Sequence, residues 1–226
     1  ARYMANMPAD RFNKDFAFHW QDKKTNTPVR NWKDFADAFL SIPMAHQMST
    51  NFMILDGTQG KESIKVMRPY QVYATQSVLE GVKNHDFDLG ENRIGYVWHT
   101  TGSGKTITSF KTAWLASRMP KIDKVVFVVD RTALTQQTAE NYTAYDPDAS
   151  ESSMGIVRDV ANTNDLAKKL KSKENGIVIT SFQKLLRLVG RDKFKAPNKN
   201  RLFIVDEAHR SVNGEAFQRI KKAFPR

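Results

Sequence analysis

Cysteine is absent from all 226 residues. That excludes disulfides and cysteine-ligated zinc, and it fits a reducing compartment. No apolar run approaches the roughly 18 residues that a membrane-spanning helix needs. The first residues, ARYMANMPADRF, lack the apolar core of a secretory signal. Acidic residues are outnumbered: 24 Asp and Glu stand against 35 Lys and Arg, a formal net charge of +11. A balance of that sign favours polyanionic partners. Internal repeats and low-complexity segments are also missing. What remains, 40% hydrophobic residues in a chain of this length, is material for one substantial globular domain plus an extension. The chain does not begin with Met, so we expect an excised piece of a longer one.

The most informative stretch is RIGYVWHTTGSGKTITSF at 93–110. Ile94, Tyr96, Val97 and Trp98 are strand formers, so a short strand is expected there. Small residues follow from Thr100 to Gly104, and Lys105-Thr106 opens a segment with Ile107, Phe110 and Trp114 at helical spacing. Strand, glycine loop and helix in succession form the context of a phosphate loop. Glycines let backbone N–H groups converge on phosphate oxygens, and the helix start adds the positive end of its dipole. Lys105 would reach the β- and γ-phosphates and the Thr106 hydroxyl would hold Mg²⁺. His99 departs from the strict G-x-x-x-x-G-K-[ST] pattern, standing where the first glycine belongs.

Residues 1–60 carry aromatics (Phe12, Phe16, Phe18, Trp20) among charges, and a short helix is expected over 31–40 with Trp32, Phe35, Ala36 and Phe39 on one face. We read this part as a linker or extension that packs on a motor domain spanning 61–226. Asp22-Lys23-Lys24 matches the end of a nuclease signature, but no upstream acid accompanies it and it reads as a solvated charge run. The pattern predicts a helix over 68–85, with Pro69 in its first turn. Arg68 and Gln71 lie at its start, and a glutamine amide can pair with the N6 and N7 edge of adenine. Beyond the loop the chain alternates. Strands are expected at 124–130, 154–157, 176–180 and 201–206, and helices at 132–144, 164–173, 182–189 and 215–224. That rhythm makes βαβ units: a parallel sheet with helices on both faces. Ligands of such sheets gather at the carboxyl ends of strands, where Asp130, Ser181 and Asp206 all fall.

The strand at 201–206 runs into Asp206-Glu207-Ala208-His209. An aspartate after an apolar strand suits a second magnesium partner, and the adjacent Glu207 suits a base that orients and deprotonates water. His209 is placed to sense the γ-phosphate or link to a neighbouring site. A lone acidic turn is more often a helix cap; its pairing with a phosphate loop makes the functional reading the stronger one. We therefore expect the Lys105 ammonium and the Asp206 carboxylate to serve one Mg-nucleotide.

With TTGSGKT at 100–106 and DEAH at 206–209 the sequence resembles superfamily 2 helicases. FNKDFAFHW (12–20), RPYQVYA (68–74), VDRTALTQQT (129–138), ITSFQKL (179–185) and DEAHRS (206–211), in this order, narrow the resemblance to the restriction (R) subunit of type I restriction-modification enzymes. The resemblance implies an α/β fold of the RecA-like P-loop NTPase kind, a three-layer sandwich with a largely parallel central sheet. It implies a cytoplasmic prokaryotic protein that uses ATP and Mg²⁺ to translocate double-stranded DNA without conventional strand separation. Its partners would be the methylation and specificity subunits, with no membrane. By the same resemblance Gln71 reads adenine, with Arg68 beside it. Thr101, Gly102, Ser103, Gly104, Lys105 and Thr106 hold the phosphates, and Thr106 and Asp206 hold the metal. Glu207 and Lys105 are catalytic, His209 joins the nucleotide site, and Asp130, Arg131, Thr180 and Ser181 face DNA. The family's nuclease domain is expected before this stretch. A second motor lobe with its arginine finger is expected after it.

Between the last two strong strands, Lys184, Arg187, Arg191, Lys193, Lys195, Lys199 and Arg201 face only Asp192. They suit phosphate contacts that give affinity without sequence information, and equally a solvated helix and loop. Other readings are another superfamily 2 translocase or unwinding helicase, and a non-enzymatic ATP-gated DNA-binding module. No N-K-x-D guanine-reading motif is present, which disfavours a GTPase.

Overall fold

The computed structural model describes residues 1–4, 14–89, 95–100, 102–130, 132–150, 153–210 and 214–225. The chain divides into two compact units, one of residues 1–78 with 97–112 and one of residues 79–96 with 113–226.

In the first unit, β1 (Tyr3–Met4) pairs antiparallel with β2 (Ala17–Phe18). A helical stretch follows, α1 (Trp32–Phe35) continuing as a π-helical turn over Ala36–Leu40, then α2 (Met44–Thr50). The Asn31 side chain accepts from the Lys33 N–H and caps α1. Trp20, only 2% exposed, is the centre of an aromatic cluster. Phe39, Tyr73 and Tyr3 surround it with ring centroids 5.1, 5.5 and 6.1 Å away. Tyr3, Trp20, Gln21 and Phe39 of this part therefore pack on the start of α3 (Pro69–Asn84) and the residues before it, helped by the Tyr73 hydroxyl donating to the Gln21 carbonyl and that of Tyr3 to Met67. Trp32, expected on the packed face, is exposed instead. Between them lies a hairpin that the sequence did not announce, β3 (Met53–Asp56) antiparallel to β4 (Ser63–Val66). Asp22 accepts from the Lys24 and Thr25 N–H groups and the Thr25 hydroxyl, so the Asp-Lys-Lys stretch is an exposed turn.

The helix expected after the glycine loop is α4 (Lys105–Ser117); α3 and α4 each contribute residues to both units. The second unit then runs β5 (Lys124–Val129), α5 (Thr132–Tyr145), β6 (Ala149–Ser150), β7 (Ser153–Met154), β8 (Val157–Asp159), α6 (Thr163–Lys171), β9 (Ile177–Ser181), α7 (Phe182–Val189), β10 (Arg201–Val205) and α8 (Glu215–Ala223). β6 and β7 form a small antiparallel pair. The other four strands make a wholly parallel sheet in the order β10-β5-β9-β8. β5 sits inside it, and every residue of Lys124–Val129 is buried, as the apolar run Val125–Val129 predicts for all but Lys124. Its side chains alternate between two cores. Val126 and Val128, with Val178, meet Leu166 and Leu170 of α6, Leu185 and Leu188 of α7, and Ile220 of α8. Phe127 points to the other face, its ring 5.0 Å from that of Tyr142 on α5. Helices thus cover both faces, giving three layers. Each buried leucine contributes roughly 1.5–3 kcal/mol. α6 shows why these segments are helices. Asn162 caps it by accepting from the Asn164 and Asp165 N–H groups at 3.0 Å each. Leu166 and Leu170 face inward, and Lys168, Lys169 and Lys171 complement its last turn.

Two strand expectations need correction. Residues 95–98 form no strand: Tyr96 and Trp98 are 90% and 87% exposed. A strand exists only where its backbone groups are paired, and among the described residues β10, at the sheet edge, pairs only with β5. The strand expected at 154–157 is broken at Gly155 into β7 and β8, which join different sheets. No described helix is long and apolar enough to cross a membrane.

Candidate nucleotide site and strand-end carboxylates

The loop before α4 turns through two left-handed glycines, Gly102 (φ 77°) and Gly104 (φ 79°). At Gly104 a Cβ would stand 2.4 Å from Nε2 at the end of the Gln71 side chain, so it would displace that amide, while the left-handed backbone angle is what requires glycine. A Cβ at Gly102 would meet nothing within 4 Å, so that side of the loop is open. Lys105 is the first residue of α4, a helix of 13 residues. An open glycine loop running into a helix N-terminus fits a phosphate chain. Thr101 lies outside the described residues.

α3 braces this loop. The Tyr70 hydroxyl donates to the Ser103 carbonyl at 2.8 Å and Gln71 Nε2 donates to the same oxygen at 2.9 Å. Gln71 Oε1 accepts from the Arg68 N–H at 2.8 Å, and the residue is only 4% exposed. Both ends of the expected adenine reader are thus held by backbone groups. The Arg68 guanidinium lies 4.1 Å from the Phe18 ring centroid. Behind the loop, the buried Thr112 hydroxyl lies 3.2 Å from that of Thr75 and 2.8 Å from the Thr108 carbonyl, joining α4 to α3. Tyr70, His99, Thr75 and Thr112 are supports that sequence reasoning did not assign. Tyr70, sitting beside Gln71, was the available signal.

In the second unit, the carboxyl ends of β10, β5 and β9 lie side by side, so Asp206, Asp130 and Ser181 share one edge of the sheet. The Asp206 N–H donates to the Val128 carbonyl at 2.9 Å, and Asp206 Oδ1 accepts from the Glu207 N–H at 3.0 Å. Glu207 has φ 48°, in the left-handed region where a side chain costs roughly 1–2 kcal/mol. Strain of this kind gathers at functional turns. His209 Nδ1 lies 3.5 Å from Glu207 Oε2, and His209 is 66% exposed. Gln183 Nε2 donates to the Asp130 carbonyl at 2.9 Å, tying the start of α7 to the end of β5. Thr180 and Ser181 are fully buried, and the Ser181 hydroxyl caps α7 by accepting from the Lys184 N–H. As folded here they shape the strand end rather than present side chains to solvent. Arg131 lies outside the described residues.

The basic stretch divides. The Lys184 and Lys199 ammonium groups donate to the Val160 and Ser172 carbonyls, and Arg191 donates to Asn164 Oδ1. Arg201 is 6% exposed and its guanidinium holds the Lys199 and Pro197 carbonyls. Burial pushes its pKa down to about 10. These four cations brace the framework, while Arg187, Lys193 and Lys195 remain exposed. Among the described residues no cluster of three or more His, Asp or Glu side chains can cage a metal ion. Magnesium, held by one or two protein ligands with phosphate and water, does not need one.

Comparison with known proteins adds the family. The family described as "Type III restriction enzyme, res subunit" matches residues 64–226. The chain is 34% identical over 226 residues to the type I restriction enzyme SauCOLORF180P endonuclease subunit of Staphylococcus aureus (strain COL), covering 99% of this chain and 22% of that protein. It is 37% identical over 215 residues to a Mycoplasma pneumoniae protein described as the C-terminal part of the putative type I restriction enzyme MpnIIP endonuclease subunit. That match covers 91% of this chain and 99% of the Mycoplasma protein. A solved structure of a nuclease-deletion mutant of the Type ISP restriction-modification enzyme LlaGI, in complex with a DNA substrate mimic, aligns with a TM-score of 0.45 at 19% identity. That alignment covers 68% of this chain and 16% of that one. The chain thus spans about a fifth of the length of the Staphylococcus relative (22%) and nearly all of the Mycoplasma one (99%). On the match of residues 64–226 and on these relatives, the chain belongs to the restriction-enzyme endonuclease subunits and carries their helicase-like, RecA-like domain.

Proposed function

We propose that this chain is the ATP-binding motor lobe of a type I restriction subunit, with residues 61–226 as the lobe and 1–60 as the extension before it. It drives ATP-dependent translocation of double-stranded DNA ahead of cleavage by a nuclease domain elsewhere in the protein. The observation that carries this reading is the left-handed glycine loop leading into Lys105, braced by α3. ATP supplies a phosphoanhydride whose γ-phosphoryl group passes to water, with Mg²⁺ neutralising the developing charge. Lys105 and the Gly102–Gly104 backbone hold the phosphates and Thr106 and Asp206 serve the metal. Glu207 orients the water and takes its proton, and His209 beside it reports the state of the γ-phosphate. These pairings rest on the order of the motifs in the sequence. Gln71 reads adenine by exchanging its hold on the Arg68 N–H and the Ser103 carbonyl for the base edge, an exchange of like bonds. The ends of β5 and β9 lie toward DNA, with Asp130 and Arg131 at the first and the buried Thr180 and Ser181 shaping the second, and Arg187, Lys193 and Lys195 add phosphate contacts. The motor works in the cytoplasm with the methylation and specificity subunits, and with no membrane partner.

The test is steady-state ATP hydrolysis by the full-length protein with and without double-stranded DNA. The motor reading expects strong stimulation by DNA that weakens as salt rises. Nucleotide-dependent DNA affinity with no stimulated turnover would favour an ATP-gated binding module instead.

A further inference from the structure

Three side chains converge on a single residue of the phosphate loop. Tyr70 and Gln71 hold the Ser103 carbonyl, and His99 Nδ1 lies 2.9 Å from Ser103 Oγ. The Ser103 hydroxyl has one hydrogen, and it goes to the Thr100 carbonyl at 2.7 Å. Toward His99 the hydroxyl oxygen must therefore accept, so the imidazole carries its proton on Nδ1. Nε2 is then left with a lone pair, and among the described residues it is buried without a hydrogen-bond partner. Burial, and after it the Lys105 ammonium, hold the His99 pKa below its usual value, which keeps the ring neutral in this tautomer at neutral pH. The Tyr70 ring stands edge-on to the imidazole, with centroids 6.2 Å apart.

His99 occupies the place that the strict phosphate-loop pattern gives to glycine. We propose that His99, backed by Tyr70, is a positioning residue of this loop, fixing the Ser103 turn before nucleotide arrives. The inference rests on the nucleotide-binding reading above. Gly102 and Gly104 give the loop its shape but leave it more conformational freedom to lose on ordering than any other residue type would. A loop already pinned binds its ligand without meeting that cost at the moment of binding. One neutral hydrogen bond corresponds to about fivefold in affinity. The glycine that would complete the motif is thus expected to weaken binding here.

The experiment compares His99→Gly, His99→Asn, Tyr70→Phe and Lys105→Ala in the full-length protein. It measures the Kd for a fluorescent Mg-ADP analogue, KM and kcat for ATP, and Tm. We expect His99→Gly to raise Kd and KM about fivefold, with kcat within about twofold and Tm lowered by no more than about 4 °C. Asparagine, whose Nδ2–H sits where the imidazole Nδ1–H does, restores Kd to within about twofold of wild type. Tyr70→Phe, which removes only a hydroxyl, raises Kd by about fivefold too. The inference is overturned if His99→Gly binds as tightly as wild type while Lys105→Ala does not, or if asparagine is no better than glycine. Should His99→Gly fail to fold, an unchanged Kd for Tyr70→Phe overturns it equally. Wild-type binding by Lys105→Ala would instead bring down the nucleotide reading, and this inference with it.

Discussion

Lys105→Ala in the full-length protein is expected to weaken Mg-ATP binding by roughly 10²–10³ and to abolish DNA-dependent hydrolysis. Lys105 opens α4 directly after the left-handed Gly104. Its ammonium is the positive charge that the motif aims at the β- and γ-phosphates. A charge-assisted contact of that kind is worth about 2–5 kcal/mol when truncated, and every 1.4 kcal/mol is about tenfold in affinity. The loop N–H groups and the helix dipole remain, so a residual weak affinity should persist. Calorimetric titration with Mg-ATP reads the effect. Unchanged affinity would mean that the loop is a structural turn.

Glu207→Gln should separate what Lys105→Ala joins. The substitution keeps length and shape, and it keeps the left-handed backbone at this position (φ 48°) with no new strain. It removes the proton acceptor but no phosphate contact. Binding should stay within about threefold of wild type, while turnover falls by roughly 10²–10⁴, the range a positioned general base supplies. The contact with His209, 3.5 Å away, is also altered, so His209→Ala serves as the control for that change alone. Equal loss of binding in Lys105→Ala and Glu207→Gln would remove Glu207 from the role of base.

Much of the parallel sheet was legible because its chemistry is local. β5 and β9 are buried on both faces and carry the unbroken apolar runs Val125–Val129 and Ile177–Ile179, while α6 and α7 show leucines four or three apart on one face. The β3–β4 hairpin was not legible. Its outward residues Leu55 and Ile64 are apolar and 62% and 51% exposed, so the alternation that marks a half-buried strand is missing. The reverse error occurred at residues 95–98, where strand-forming side chains are present but none of the described strands pairs with them, and pairing is a long-range property. The site shows the same division. Residue types pointed to the glycine loop and the acidic turn. They could not show that Gln71 is held at both ends by the Arg68 N–H and the Ser103 carbonyl. Nor could they show that His99 and Ser103, four apart in a non-helical loop, meet through the turn itself.

On this reading ATP hydrolysis at the site moves double-stranded DNA. Displacement of a third strand from a triplex, placed at increasing distances from the loading site on linear DNA, tests it most directly in the assembled full-length protein. The expected result is a lag that lengthens in proportion to distance, requires hydrolysable ATP, leaves the two duplex strands paired, and disappears in Glu207→Gln. ATP hydrolysis stimulated by DNA with no distance-dependent lag, or release of separated single strands, would contradict it.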